Sequence, residues 1–96
     1  MESNSEKIIS ENFLNQNFTN PFNPTTKISY QLPEKSIVTL KVYDILGREI
    51  AELVNDSRET GYHEVTFDAS NLSSGIYYYQ IKAGDFIQSR KMLLIK

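Results

Sequence analysis

One aromatic stretch, residues 72–83, constrains the fold of this chain more than any other part of the sequence. β-Branched and aromatic residues favour a half-buried strand, and turn signals at Gly75 and at Gly84-Asp85 bound it. Successive side chains of a strand point to opposite faces of the sheet. One face therefore collects the apolar residues and should lie against a core: Tyr77, Tyr79, Ile81 and Ala83.

The beginning of this strand has the pattern of a tyrosine corner. Leu72, Gly75 and Tyr77 follow one another in the order found where a Greek-key sandwich crosses between its two sheets. In such a corner the tyrosine hydroxyl bonds to backbone a few residues upstream and fixes the crossover. The alternative is an ordinary aromatic strand without a corner.

Four further segments have the pattern of strands: residues 25–32, 37–43, 49–54 and 61–68. In the third, Ile50, Leu53 and Val54 do not alternate strictly, which predicts a β-bulge. We also expect a short first strand within residues 13–18 and a polar loop over 55–60. Parity along the strands predicts one shared core: Ile28, Tyr30, Leu40, Val42, Val65, Phe67, Tyr77, Tyr79 and Ile81.

Turn chemistry supplies the connections between these strands. Pro21 and Pro24 lack backbone donors and disfavour helix before them, so they predict an extended crossover with Phe22 as an apolar plug. Gly47 occupies the expected positive-φ position of a hairpin loop. About seven short strands without an amphipathic helix predict an all-β fold, an immunoglobulin-like Greek-key β-sandwich.

Length and charge restrict the organisation further. The 96 residues suffice for one domain, which we place at 13–96, after a polar disordered or linker segment at 1–12. A net charge of −2 gives no reason to expect a nucleic-acid partner, and no apolar run has membrane-spanning length. The polar start lacks a signal peptide, so either the protein stays in the cell or the chain is an excerpt of a longer one.

The sequence offers little for catalysis. There is no cysteine, and His63 is the single histidine, which we expect to be packed or hydrogen-bonded rather than a metal ligand. No nucleophile elbow or phosphate-binding glycine loop is present. We therefore predict a non-enzyme without catalytic, cofactor or metal residues. The alternative is a carbohydrate-binding platform of two outward tyrosines, Tyr62 and Tyr78.

The run 90–96 breaks the alternation with four consecutive apolar residues and carries local positive charge. Either it is a well-packed last strand, or it is an exposed edge that awaits a partner, with Lys91 and Lys96 as flanking charges. A receptor could use such a strand for pairing and its charge for steering. We predict that recognition is concentrated in residues 75–96, with this partner-recognition set: Gly75, Tyr77, Arg90, Lys91, Met92, Leu93, Leu94, Ile95 and Lys96.

Five blocks in order resemble the C-terminal sorting domain of the type IX secretion system, the Por secretion tail family. They are residues 20–28, 38–49, 61–70, 72–77 and 90–96, so that the resemblance covers about 13–96. One departure is Thr19, where the family usually has a proline. The absent signal peptide is a second departure, since such cargo must first cross the inner membrane.

The resemblance implies an address label carried at the C-terminus of a longer exported protein. Its implied partners are an outer-membrane translocon, a sortase-like peptidase that removes the tail, and the upstream cargo domain. The implied location is the periplasm in transit and then the cell surface or the medium. The family's architecture also resembles a module of flagellar hook-capping proteins, so a structural or adhesive role without sorting remains the rival class.

Overall fold

The computed structural model describes residues 11–96, and within them all regular structure is β-strand. The seven strands confirm the all-β prediction. They are β1 (Phe13–Leu14), β2 (Thr25–Leu32), β3 (Ser36–Tyr43), β4 (Glu49–Arg58), β5 (Gly61–Asp68), β6 (Gly75–Ala83) and β7 (Phe86–Leu94).

The strands form two antiparallel sheets packed as a sandwich. One has three strands in the order β1-β2-β5, and the other has four in the order β4-β3-β6-β7. Neighbours such as β2 with β5, and β3 with β6, are not consecutive in the chain, so the chain repeatedly crosses between sheets. This is consistent with the immunoglobulin-like Greek-key sandwich that the turn spacing predicted.

The core lies between the inner faces of the two sheets. Eight of the nine predicted core residues are buried, and Val65, the ninth, is partly buried and packs against them. Alternation along each strand explains this result, because one buried face fixes the parity of the whole strand. The core also contains residues beyond those nine: Leu14, Phe22, Leu32, Val38, Val54, Ala69, Ala83, Met92 and Leu94. Among these, the parity of the last aromatic strand predicted Ala83, and the proline crossover predicted Phe22.

The tyrosine corner is confirmed. The Tyr77 hydroxyl donates a 2.7 Å hydrogen bond to the backbone carbonyl oxygen of Ser73, four residues upstream. Leu72 packs against the core, and its amide bonds the carbonyl of Ala69 at 2.9 Å. Together these contacts fix the crossover from β5 into β6.

The proline crossover between β1 and β2 is confirmed as an extended plug. Phe22 is 2% exposed, and its ring lies 6.3 Å from that of Phe67 in a tilted arrangement. Its amide donates to the carbonyl of Leu93, and its carbonyl accepts from the amide of Ile95, both at 3.0 Å. The crossover therefore pairs with the end of the last strand as a short parallel bridge.

Strand β4 carries two irregularities where one was predicted. Leu40 pairs with Val54 and Lys41 with Glu52, so Leu53 is an extra residue; a second shift leaves Ile50 unpaired. These are two of the three residues whose spacing broke alternation. The loop predicted over 55–60 was wrong in extent, because β4 continues to Arg58 in register with β3. Gly47 adopts φ 84°, as the hairpin loop requires.

The first strand is shorter than the predicted 13–18. Only Phe13–Leu14 pairs continuously with β2, and Phe18 rejoins it as an isolated bridge to Lys27. Between them the Asn15 backbone amide still donates to the Ser29 carbonyl at 3.0 Å. Side chains add contacts there: the Asn15 amide group donates to Ser29 Oγ, and that of Asn17 donates to Thr26 Oγ1. The predicted segment therefore follows β2 with interrupted pairing rather than as one continuous strand.

Candidate partner-recognition surface

The predicted recognition residues come together on one hairpin, β6–β7, at the edge of the four-stranded sheet. Burial alternates along the run 90–96 as it does along a regular strand. Met92 and Leu94 are 0% exposed in the core, Leu93 is half-buried, and Lys91, Ile95 and Lys96 are exposed. This corresponds to the well-packed last strand, with two apolar residues left on the outer side.

The N-terminal part of the chain covers much of the outer edge of β7. The Asn20 side chain accepts from the Leu93 amide at 2.9 Å, and the Gln16 side chain donates to the Lys91 carbonyl at 2.7 Å. With the Phe22 bridge, these contacts occupy the backbone groups that an edge strand would otherwise present. At its C-terminal end, β7 is therefore not the open edge of the alternative interpretation.

Arg90 joins the two sheets. Its Nε donates to the Leu14 carbonyl at 2.6 Å, and its guanidinium lies 5.6 Å from the centre of the Phe13 ring. Gln88, two residues earlier, accepts from the Leu14 amide at 3.2 Å. Two side chains of β7 thus hold both backbone groups of one residue in β1, which closes this side of the sandwich.

Gly75 and Tyr77 lie at the beginning of β6. Gly75 pairs with Leu94 and has φ 152°, a backbone conformation that residues other than glycine rarely adopt. Tyr77 is 8% exposed, and its hydroxyl donates the corner hydrogen bond to Ser73. Both residues position the end of β7, and neither presents a polar side chain to solvent.

The outer face of β6–β7 is where a partner can touch side chains. Two cross-strand rows lie there, Ile76 opposite Leu93 and Tyr78 opposite Lys91. Neither strand contains an aspartate or glutamate, whereas both contain lysine. This surface therefore combines apolar contact area with positive charge.

The predicted two-tyrosine platform does not exist. Tyr62 lies on β5 of the three-stranded sheet and Tyr78 on β6 of the other sheet. Both point outward, with 60% and 38% exposure, so they face away from each other across the sandwich. Parity was right for each tyrosine, but the sequence does not reveal which strands share a sheet.

His63 is packed and hydrogen-bonded, as predicted. Its ring stacks on Tyr30 at 5.3 Å between centroids, and Nε2 lies 2.8 Å from the carbonyl oxygen of Glu59. Across residues 11–96, no three histidine, cysteine, aspartate or glutamate side chains are grouped as metal ligands would be. The shifted carboxyl groups belong to turns: the Arg48 amide and guanidinium lower the pKa of Asp44, and Ser70 lowers that of Asp68.

The sequence did not predict three hydrogen bonds between polar side chains and the backbone that join β7 to the N-terminal part of the domain. The side chains are those of Gln16, Asn20 and Gln88, and we call these contacts the brackets on β7. Each joins positions more than 70 residues apart, and each is an ordinary polar residue in the sequence. No local pattern distinguishes them from solvated side chains. Only the Asn-rich character of residues 15–23 hinted at backbone capping there.

The fold defines a small all-β sandwich domain whose last hairpin presents an apolar face with positive charge. Residues 17–96 match the family described as the secretion system C-terminal sorting domain, and the chain belongs to that family. It is therefore a sorting signal for type IX secretion, as the five blocks indicated. A search of curated proteins found no match to this chain. The part of the chain that the structure describes contains no helix suited to crossing a membrane.

Proposed function

We propose that this domain directs an attached cargo protein through the type IX secretion system and across the outer membrane. Family membership over residues 17–96 is the observation that supports it. The cargo precedes the domain in a longer protein, with residues 1–12 as the linker and 13–96 as the folded label. The protein passes through the periplasm and ends at the cell surface or in the medium.

The partners that we propose are the outer-membrane translocon and a sortase-like peptidase that removes the label after transport. The domain itself has no catalytic role in this scheme, which agrees with a histidine committed to Tyr30 and the Glu59 carbonyl. No observation favours a sugar-binding alternative, because the two outward tyrosines lie on opposite sheets.

Within the predicted recognition set, burial separates two roles. Lys91, Leu93, Ile95 and Lys96 are accessible in part or in full and can contact the translocon directly. Tyr77, Met92 and Leu94 are buried and act through the shape of the β6–β7 hairpin. Gly75 and Arg90 likewise set its position, through φ 152° and the bond to Leu14.

An export assay tests the proposal. A fluorescent reporter with a signal peptide is fused to the complete chain and produced in a bacterium that has the type IX machinery. We expect surface delivery, and retention in the periplasm when the translocon is deleted or when the chain is omitted. Equal delivery with and without the translocon would contradict the sorting role, and an uncut fusion at the surface would contradict the cleavage.

A further inference from the structure

The outer face of β6–β7 carries positive charge and no strand carboxylate. The chain has a net charge of −2, yet this face carries Lys82 and Lys91 and no carboxylate within either strand. Within residues 11–96, neither lysine forms an ion pair with an acidic side chain. The acidic residues on the outer side of the same sheet, Glu49 and Glu52 of β4, are both paired with Lys41.

The apolar residues of this face surround Lys91. Tyr78 lies opposite Lys91, and Ile76 lies opposite Leu93 one row further along. A shallow depression of about 360 Å³ between Tyr78 and the β3–β4 hairpin is lined by Tyr43, Asp44 and Ile45, with the Asp44 carboxylate paired to Arg48. A second of about 270 Å³ lies between Ile76, Lys91 and Leu93. The two depressions flank the Tyr78–Lys91 pair, so they form one surface with a cation near its middle.

We propose that this surface, defined by Tyr43, Ile45, Ile76, Tyr78, Lys91 and Leu93, is the face that docks on the secretion machinery. Its occupant is a protein surface of that machinery with apolar side chains around a carboxylate that meets Lys91. The inference rests on the proposed sorting function and adds which face of the domain the secretion machinery contacts.

Charge complementarity selects this occupant. A membrane surface attracts clusters of several basic residues, whereas this face offers two lysines interspersed with aromatic and aliphatic side chains. Protein interfaces use buried aromatic anchors, with charged pairs that steer and orient the partner. The outer edge of β7 is already bonded by Gln16, Asn20 and Phe22, so docking there uses side chains of the face rather than an added strand.

The test compares two matched double variants of the reporter fusion. Tyr78→Ser with Lys91→Glu changes the proposed face. Tyr62→Ser with Lys27→Glu makes the same replacements on the outer face of the other sheet, where Tyr62 is exposed and Lys27 lies 3.9 Å from Glu64. We expect surface delivery to fall about tenfold or more for the first variant and to stay within about twofold of wild type for the second.

Urea melts of the purified chains check that both variants fold. Should the first variant unfold, the purely electrostatic variant Lys82→Glu with Lys91→Glu replaces it, with the same loss of delivery expected. Delivery of the folded variant at the level of the control would overturn this inference while leaving the sorting function intact. Translocon-independent delivery of the wild-type fusion would overturn both.

Two binding measurements test other occupants. Flotation of the wild-type chain with phosphatidylglycerol vesicles, lost on Tyr78→Ser with Lys91→Glu, would replace the protein partner by a membrane. Sedimentation showing a dimer that the same variant dissociates would replace it by a second copy of the chain. A wild-type chain that neither floats nor dimerises, together with the delivery defect, supports the docking face.

Discussion

The hydroxyl of Tyr79, at the centre of β6, donates a 2.7 Å hydrogen bond to the backbone carbonyl oxygen of Asn15, 64 residues earlier. The tyrosine is 0% exposed, and Asn15 lies just beyond β1 on the other sheet. A side chain from the middle of the four-stranded sheet thus reaches across the core and holds the N-terminal strand in place.

Replacing Tyr79 by Phe keeps the ring and removes this bond. A partly buried carbonyl then loses its partner, and we expect the free energy of unfolding to fall by about 1–2 kcal/mol. Tyr79→Ala also removes the ring and should cost about 3–5 kcal/mol. Urea denaturation measures both, with Tyr62→Phe on the exposed face as the control, expected to change stability by less than about 0.5 kcal/mol. A Tyr79→Phe melt indistinguishable from the control would show that the bond contributes nothing.

Burial raises the pKa of Tyr79 to about 12, against an opposing influence from the Asn17 backbone and the Arg90 charge. In the unfolded chain the phenol ionises near pH 10. Between about pH 10 and 12 the unfolded state binds fewer protons than the folded state, so stability must fall as pH rises. Complete loss of this contribution amounts to about 2–3 kcal/mol.

Chemical denaturation from pH 9 to 12 measures this decline. Burial also raises the pKa of Tyr30, so wild type should lose stability through both phenols. In Tyr79→Phe the slope should be shallower, with Tyr30 responsible for the remainder. Identical slopes for the two proteins would argue against Tyr79 as the titrating group.

Tyr77→Phe tests the corner. The variant fills the same space but leaves the Ser73 carbonyl without the bond that fixes the crossover into β6. We expect a loss of about 1–2 kcal/mol and faster hydrogen exchange at the Leu72 amide, which bonds Ala69 in the same turn. Tyr78→Phe, next to it but outward, provides the comparison. If the corner contributes to stability, the free energy of unfolding of Tyr77→Phe should be clearly lower than that of Tyr78→Phe.

Arg90→Met tests the junction of the two sheets. Methionine preserves much of the apolar stem but cannot donate to the Leu14 carbonyl. We expect destabilisation of about 1.5–3 kcal/mol, as for loss of a charged donor, and faster exchange of the Asn15 amide that bonds Ser29. Lys35→Met, an exposed cation between β2 and β3, should stay within about 0.5 kcal/mol of wild type. Unaltered exchange at Asn15 would show that Arg90 does not hold β1.

The sequence predicted those features that depend on neighbours in the chain. Alternation placed Tyr30, Leu40 and Tyr79 in the core, and the spacing of Leu72, Gly75 and Tyr77 revealed the corner. Broken alternation at Ile50 and Leu53 indicated irregular pairing, although not that both residues would be extra. These inferences need only strand parity and local turn chemistry.

Features that depend on which strands meet could not be predicted in this way. The assignment of Tyr62 and Tyr78 to opposite sheets follows from the Greek-key connection, which no local period encodes. β4 extends to Arg58 because its polar end pairs with β3 as far as Ser36. The backbone hydrogen bonds of this ladder stabilise a strand in a segment whose side chains do not predict one. The brackets of Gln16 and Asn20 on β7 bring together the two ends of the domain, where sequence spacing gives no information.

The bridge from Phe22 to Leu93 and Ile95 makes the sorting label a joint product of its earliest and latest residues. During synthesis, the backbone groups of Phe22 acquire their strand partners only when the ribosome has added residues 93–95. A truncated chain would have the amino acids of most of the label but not its finished surface. Only chains synthesised through the last strand would then present the complete surface of the sorting domain to the secretion machinery.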